Sequence, residues 1–383
     1  MDEYNNLHFD TIYDMICFYY GVMEINDKWT VNNTIHSEQL AFDIYRLPHD
    51  KVFNTSQDLN DVLSLCTEND ANTQVVIGDL IINNIILTPP YRCKGIIIYA
   101  NDKIVNNKTI SMTARGAIGD GNDLYLCSIN NKYQIVPKCG ALGGDEQQET
   151  SSYEGPYPGN PGYNGTNRQT GGGGCGAACH GNNDFTSIII RQGGGQGTSY
   201  SGGSGGGGCD VNHPGTFTMP KPDPGTGVGG DGYGARYEWW WYDRNGGGGA
   251  GNPGGRGRYA SGWSDALNGE DGTGGLMIIF SPLIIGSGLF ESTGSKGGPA
   301  NAGGGSSGGG SINIFTSPLS MLMLREKQFN INGGPSINGS GKGGDGTYNI
   351  DFLFDSKYRL NSNFYKNVHS GITDIEILET LKE

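Results

Sequence analysis

The sequence lacks any apolar run near the roughly 20 residues that a bilayer-spanning helix requires. Apolar residues are scarce throughout: 35% of the 383 positions are hydrophobic, against a usual ~45–50% in a count that includes glycine. A single large aliphatic core of ordinary type is therefore not expected. Positive charge is short too. Lys and Arg total 25 against 39 Asp and Glu, a formal net charge of −14. That excess repels a phosphate backbone and argues against nucleic acid as a partner. No basic amphipathic stretch suits an anionic membrane surface, and no membrane insertion is expected. The opening Met1-Asp2-Glu3-Tyr4 is acidic with no apolar region behind it, so no signal peptide is expected and the chain is read as made in a cytosol. Proline, at 16 residues, is too sparse for the proline-rich Gly-X-Y pattern of collagen.

What is abundant is glycine, 68 residues, more than twice the usual share of roughly 7%. Aromatics reach 10%, including 20 Tyr, whereas disordered tracts are poor in them. The chain divides by composition into five stretches. Residues 1–74 are ordinary and read as a small N-terminal α+β domain, with Leu59 to Leu65 as a short helix capped by Ser56. Residues 75–140 are a β-rich layer of short runs such as Val75 to Ile82 and Gly95 to Tyr99, bounded by Asn, Gly, Pro and Asp as strands are. Residues 141–275 are glycine-dominated, 276–350 alternate strand and glycine, and 351–383 return to ordinary composition with a short helix expected over Asp374 to Lys382.

The glycine tracts, Gly171 to Gly174, Gly193 to Gly195, Gly205 to Gly208 and Gly246 to Gly249, have the composition of flexible linkers. Interrupting Cys, His and aromatic residues argue against that reading, as does the improbability of so long a structureless insert. Glycine orders without an apolar core as an extended, three-residue-per-turn helix with no internal hydrogen bonds. Neighbouring helices of this kind approach closely and pair their buried N–H and C=O groups laterally. Glycine loses more freedom on ordering than any other residue, so conventional strands must hold the ends. A loose internal repeat supplies them. One copy runs Gly95-Ile96-Ile97-Ile98-Tyr99, then Thr109-Ile110-Ser111, then Gly116. A second runs Gly275-Leu276-Met277-Ile278-Ile279-Phe280, then Gly288-Leu289-Phe290, then Gly297-Gly298. A third runs Gly310-Ser311-Ile312-Asn313-Ile314-Phe315, then Phe329-Asn330-Ile331, then Gly333-Gly334. The expected fold is mainly β, with short β-solenoid or β-helix layers framing a polyglycine II bundle.

This repeat, above all Gly303 to Ile350 with Asn332-Gly333-Gly334 and Gly343-Gly344-Asp345-Gly346, resembles the glycine-rich tail fibres and distal adhesins of tailed phages. The resemblance covers roughly residues 75 to 350. It implies a polyglycine II sandwich displaying host-binding loops on a virion or particle tail tip, attached through residues 1–74 to tail or baseplate proteins. It also implies a bacterial surface protein or glycan as receptor and a homotrimer, or a single chain on a trimeric stalk. No enzymatic activity is expected.

Two groups of residues stand out as sites. The first is Tyr237-Glu238-Trp239-Trp240-Trp241-Tyr242-Asp243-Arg244, with Trp263, Tyr233 and Tyr259 near it in sequence. Side chains alternate along an extended chain, so consecutive rings cannot all face one side. Three roles are open to them: packing into the glycine bundle, contacting a receptor by stacking or burial, or forming a subunit interface. The residues expected to meet the receptor are Tyr237, Trp239, Trp240, Trp241, Tyr242 and Trp263. The second group is Cys175, Cys179 and His180 with Cys209 and His213. These spacings are ones that a structural zinc or iron ion uses, and a metal would supply stability where apolar area is short. Free thiols and a disulfide remain the alternatives. Nucleotide binding is excluded, because Gly341-Lys342 is followed by Gly343 rather than Ser or Thr and none of the G-x-G-x-x-G strings opens a helix after a strand. Glycan cleavage would need two carboxylates roughly 5–10 Å apart, with Glu238, Asp243, Asp265, Glu270 and Asp271 available. A glycan-cleaving spike and a purely structural virion protein are the two alternatives to an adhesin.

Overall fold

A computed structural model of the chain describes residues 22–25, 28–31, 34–36, 42–48, 50–55, 63, 66, 73–100, 102–117, 127–129, 133–135, 142, 144, 161–165, 171–172, 174, 179–181, 193–198, 201–211, 229–231, 233–234, 246–251, 254–257, 267–300, 303–337 and 340–352. Its regular structure is almost entirely strand. β1 (Val22–Ile25), β2 (Lys28–Val31) and β3 (Thr34–His36) form an antiparallel sheet of their own. β4 (Phe42–Arg46) and β5 (Lys51–Phe53) instead join the strands that follow residue 73. The segment expected as a separate α+β unit over 1–74 thus supplies strands to the main sheets from Phe42 onward. The helix expected over Leu59 to Leu65 lies outside the described residues except for Leu63, a buried bend. The helix expected over Asp374 to Lys382 lies outside them entirely.

Three parallel sheets share one chain path. β6 (Thr73–Ile77), β7 (Leu80–Ile82) and β8 (Ile86–Leu87) make one pass, and β9 (Ile96–Tyr99), β10 (Lys103–Asn106) and β11 (Thr109–Ser111) the next. Then come the hairpin β12 (Cys127–Ile129) and β13 (Tyr133–Ile135), and β14 (Cys179–Gly181), β15 (Cys209–Val211) and β16 (Tyr233–Gly234). A further pass is β17 (Leu276–Ser281), β18 (Leu283–Ile285) and β19 (Leu289–Glu291). β20 (Ser311–Thr316), β21 (Phe329–Asn330) and β22 (Thr347–Phe352) complete the strands. The first sheet is ordered β22-β20-β17-β9-β6-β4, the second β18-β10-β7-β5 and the third β21-β19-β11-β8. Each full pass gives one strand to each sheet in turn. In the β20 pass, helix α1 (Pro318–Met323) replaces the second-sheet strand. Its Ser320 hydroxyl accepts the Ile284 N–H at 2.8 Å, closing the edge of β18.

The three sequence repeats are neighbours in the first sheet. Ile96 pairs with Met277 and Met277 with Ile312, and Tyr99, Phe280 and Phe315 fall in one register row. The aromatics that end the aliphatic runs are therefore neighbours: Phe280 stacks on Phe315 at 4.8 Å between ring centres, and Tyr99 lies tilted at 6.2 Å from Phe280. A second stack, Phe290–Phe329–Tyr348 at 5.6 and 4.5 Å, rises beside the third sheet. Ile96, Ile98, Met277, Ile279, Ile312 and Ile314 line the inside with Leu80, Ile104, Leu87 and Ile110. The other row of the first sheet, Val75, Ile97, Ile278 and Asn313, is also buried, as is usual for a parallel sheet covered on both faces. Asn313 takes an aliphatic place there, and neither its Oδ1 nor its Nδ2 has a partner.

Between Ser111 and Leu276 the chain leaves the stack and returns to the same point. Gly116 donates to Thr273 and Gly275 to Met112, both at 3.0 Å, so β17 lies directly on β9 despite the long detour. Glycine segments run straight into the first-sheet strands: 272–275 into β17, 303–310 into β20 and 343–346 into β22. Others leave the third sheet, 292–298 after β19 and 331–334 after β21.

These segments hydrogen-bond with a period of three. Along 303–310, the N–H groups of Gly304, Ser307 and Gly310 donate to Gly298, Ser295 and Ser292 of the adjacent antiparallel segment. Those of Gly305 and Gly308 donate to Gly206 and Gly203, and that of Gly309 to Gly344. Segment 201–208 bonds to six neighbours. It donates to Gly274, Gly172, Ala250 and Gly247 and accepts from Gly195, Gly230, Gly305 and Gly308. Residues 201–208, 246–251, 272–275 and 303–310 are buried throughout although they carry almost no apolar side chain. Glycine is required by proximity: a Cβ on Gly205 would overlap the Gly305 carbonyl, and one on Gly304 the Gly248 carbonyl. At the rim, where no further segment follows, oxygen-bearing side chains take the outward N–H groups. Asp271 accepts from Gly254 at 2.6 Å, Asp231 from Arg256 at 3.0 Å, Asn268 from Gly257 at 3.0 Å and Asp345 from Gly333 at 2.9 Å.

Gly205→Ala and Gly304→Ala are each expected to lower unfolding free energy by about 3 kcal/mol through overpacking, measured by denaturant titration, whereas the exposed Ser287→Ala changes it little. Asn313→Leu is expected to raise stability by about 1 kcal/mol in the same titration, because it removes two buried polar atoms without partners.

Candidate functional site

The direction of each glycine segment locates its connections. Ser201 bridges to Gly275, at the strand stack, and Gly208 reaches Gly247 seven residues further out. Segment 201–208 therefore runs away from the stack, and so do 171–174 and 229–231, since each continues into a strand of one sheet. That sheet is β14-β15-β16, all parallel, with Cys179, Cys209 and Tyr233 in one row. It forms where three outward segments end, at the end of the bundle away from the strand stack. Segments 246–251 and 267–275 run back inward: Ala250 donates to Gly305 and Gly251 to Glu270, and Gly275 ends beside Met112.

Two connections consequently begin and end at the far end. Residues 235–245 join Gly234, paired with Asp210, to Gly246. Residues 258–266 join Gly257, whose N–H is taken by Asn268, to Leu267. By sequence the first holds Tyr237, Trp239, Trp240, Trp241 and Tyr242, and the second Tyr259 and Trp263. All of these rings lie outside the described residues. What is described is the pair of chain ends that carries each run, and both pairs are at the same end of the bundle.

The proposed metal ligands are brought together in part. Cys179 and Cys209 are direct cross-strand neighbours, and His180 is opposite Asp210. Cys175 and His213 lie outside the described residues. Among the described residues no group of three or more His, Cys, Asp or Glu is placed to hold a metal ion. The register thus brings Cys179 and Cys209 to one position across two strands.

Of the carboxylates considered for glycan cleavage, Glu270 and Asp271 have structural partners. Glu270 pairs with Lys296 at 3.2 Å, and Asp271 accepts the Gly254 N–H. Glu238, Asp243 and Asp265 lie outside the described residues. No described helix is long and apolar enough to cross a membrane. No family model, curated protein or solved structure matches the chain. The parallel sheet at the far end escaped sequence reading. Its signal is that Cys179, Cys209 and Tyr233 each follow a glycine segment by a few residues, and this becomes legible only once those segments are known to run side by side.

A zinc or iron ion on Cys179 and Cys209 predicts at least half an equivalent of metal in the purified protein by elemental analysis, lost in Cys209→Ser. Less than half an equivalent discards the metal.

Proposed function

We propose that this chain is a receptor-binding adhesin of a phage tail or phage-like contractile particle. In this reading the three parallel sheets are the faces of a short β-solenoid whose turns are the successive passes, and the period-three glycine segments are polyglycine II helices projecting from it as a rigid bundle. The observation that carries the reading is that the chain ends flanking both aromatic stretches, Gly234 and Gly246 for one and Gly257 and Leu267 for the other, are at the bundle end remote from the strand stack. Clustered Trp and Tyr are suited to stacking on sugar rings or burying a protein surface, and a buried backbone lattice gives loops a stiff support. The receptor is a bacterial surface protein or glycan. The opposite end, with the N-terminal strands, joins tail or baseplate proteins, and the working unit is a homotrimer whose several copies per particle convert weak contacts into strong attachment.

The test is adsorption of the labelled full-length chain to a panel of bacterial cells, untreated and after protease or glycosidase treatment. Saturable binding is expected, abolished by one of the two treatments. Trp240→Ala/Trp241→Ala is expected to reduce it at least tenfold while shifting the melting temperature by no more than about 2 °C, a surface-like effect. Equal loss of binding and stability assigns the rings to the bundle interior. Release of reducing ends from cell-wall glycan favours a glycan-cleaving spike, and no binding to any cell favours a structural virion protein.

A further inference from the structure

Two buried cysteines lie on successive connections of the strand stack. Cys66 lies on the stretch that joins the first pass, ending at β5, to β6; Cys93 lies on the stretch that joins β8 to β9. Neither is in a disulfide, both are buried, at 4% and 0% exposure, and both belong to the main apolar core. The Cys66 sulfur sits 3.9 Å from the Tyr91 carbonyl oxygen, two residues before Cys93, and the Cys93 thiol donates to the Gly95 carbonyl at 3.5 Å. The neighbouring Cys66 thiol, with burial next, raises the Cys93 thiol well above its ordinary range.

Nothing in the glycine bundle or at its far end uses this pair. Packing alone does not require it either, since a buried thiol behaves as a small apolar group for which Ala or Ser would nearly serve. The Cys66 sulfur lies against the stretch that carries Cys93, where one covalent bond would tie the connection after the first pass to the connection after the second. A chain kept reduced in a cytosol and then released meets oxidising surroundings in which such a bond persists.

We propose that Cys66 and Cys93 are a disulfide-forming modification site, closed by exchange with a low-molecular-weight disulfide such as oxidised glutathione. Cys66, the less buried, loses its proton and attacks one glutathione sulfur. The reagent S–S bond breaks, a mixed disulfide forms on Cys66, and one glutathione leaves, taking up a proton. Cys93 then loses its proton and attacks the Cys66 sulfur, and the second glutathione leaves as a thiol. Two protein thiols are oxidised and one glutathione disulfide is reduced to two thiols. A deeply buried thiol reacts slowly, so closure takes hours and is accelerated by mild denaturant that opens the site.

The experiment treats the full-length chain with oxidised glutathione, alkylates remaining thiols under denaturing conditions, digests without reductant and maps disulfides by mass spectrometry. The expected result is a linked peptide pair containing Cys66 and Cys93 in most molecules. The melting temperature should rise on the order of 5 °C over the reduced protein, as closing a loop of this size implies. In Cys66→Ser/Cys93→Ser, or in Cys93→Ala alone if the double variant does not fold, that rise should vanish, since the other six cysteines remain. Alkylated Cys66 and Cys93 after prolonged oxidation, glutathione held on either without a linked peptide, or an equal rise in the variants would each overturn the proposal. The test does not depend on receptor binding, so failure of the adhesin reading leaves it intact.

Discussion

The structure depends on one constraint: an extended glycine segment forms no hydrogen bonds with itself, so each of its buried N–H and C=O groups must be met by another segment. Along 303–310 these groups are met on three sides, with 304, 307 and 310 serving one neighbour, 305 and 308 a second and 309 a third. The absence of Cβ lets neighbours come close enough to bond, and the overlap that a Cβ on Gly205 would make with the Gly305 carbonyl measures how close. Burial here is of backbone rather than side chain, which reconciles a low apolar content with a dense interior.

Such a lattice has little to fix its register on its own, because glycine offers no side chain to interlock. The strand stack supplies the register. Segments 272–275, 303–310 and 343–346 continue directly into β17, β20 and β22, whose aliphatic and aromatic rows interdigitate in fixed alignment. The in-line aromatics Tyr99, Phe280 and Phe315 and the stack of Phe290 on Phe329 make a slip of one residue costly. At the lateral rim, Asp271, Asp231 and Asp345 accept N–H groups of Gly254, Arg256 and Gly333. Acidic side chains in a glycine tract therefore mark its rim. This also gives Glu270 and Asp271 positions as edge residues independent of any chemistry.

Function, in the adhesin reading, is a division of labour between backbone and side chain. The bundle provides stiffness but little to grip, since its surface is poor in side chains. Recognition falls to the connections that interrupt it. The inward and outward runs of the segments put the chain ends that flank these connections at one end of the bundle.

The amino-acid sequence by itself determined the β character, the glycine-dominated interior and the three strand repeats, because these rest on composition and local pattern. Ile96 to Tyr99, Leu276 to Phe280 and Ile312 to Phe315 are strand-forming wherever they pair. Tertiary structure alone decided who pairs with whom. β9 lies against β17 rather than beside the next strand in the chain, β4 and β5 pair into the main sheets, and Cys179 aligns with Cys209. The reason is physical. A parallel strand bonds only to segments distant in sequence, and glycine has no side chain in which a partner's identity could be written.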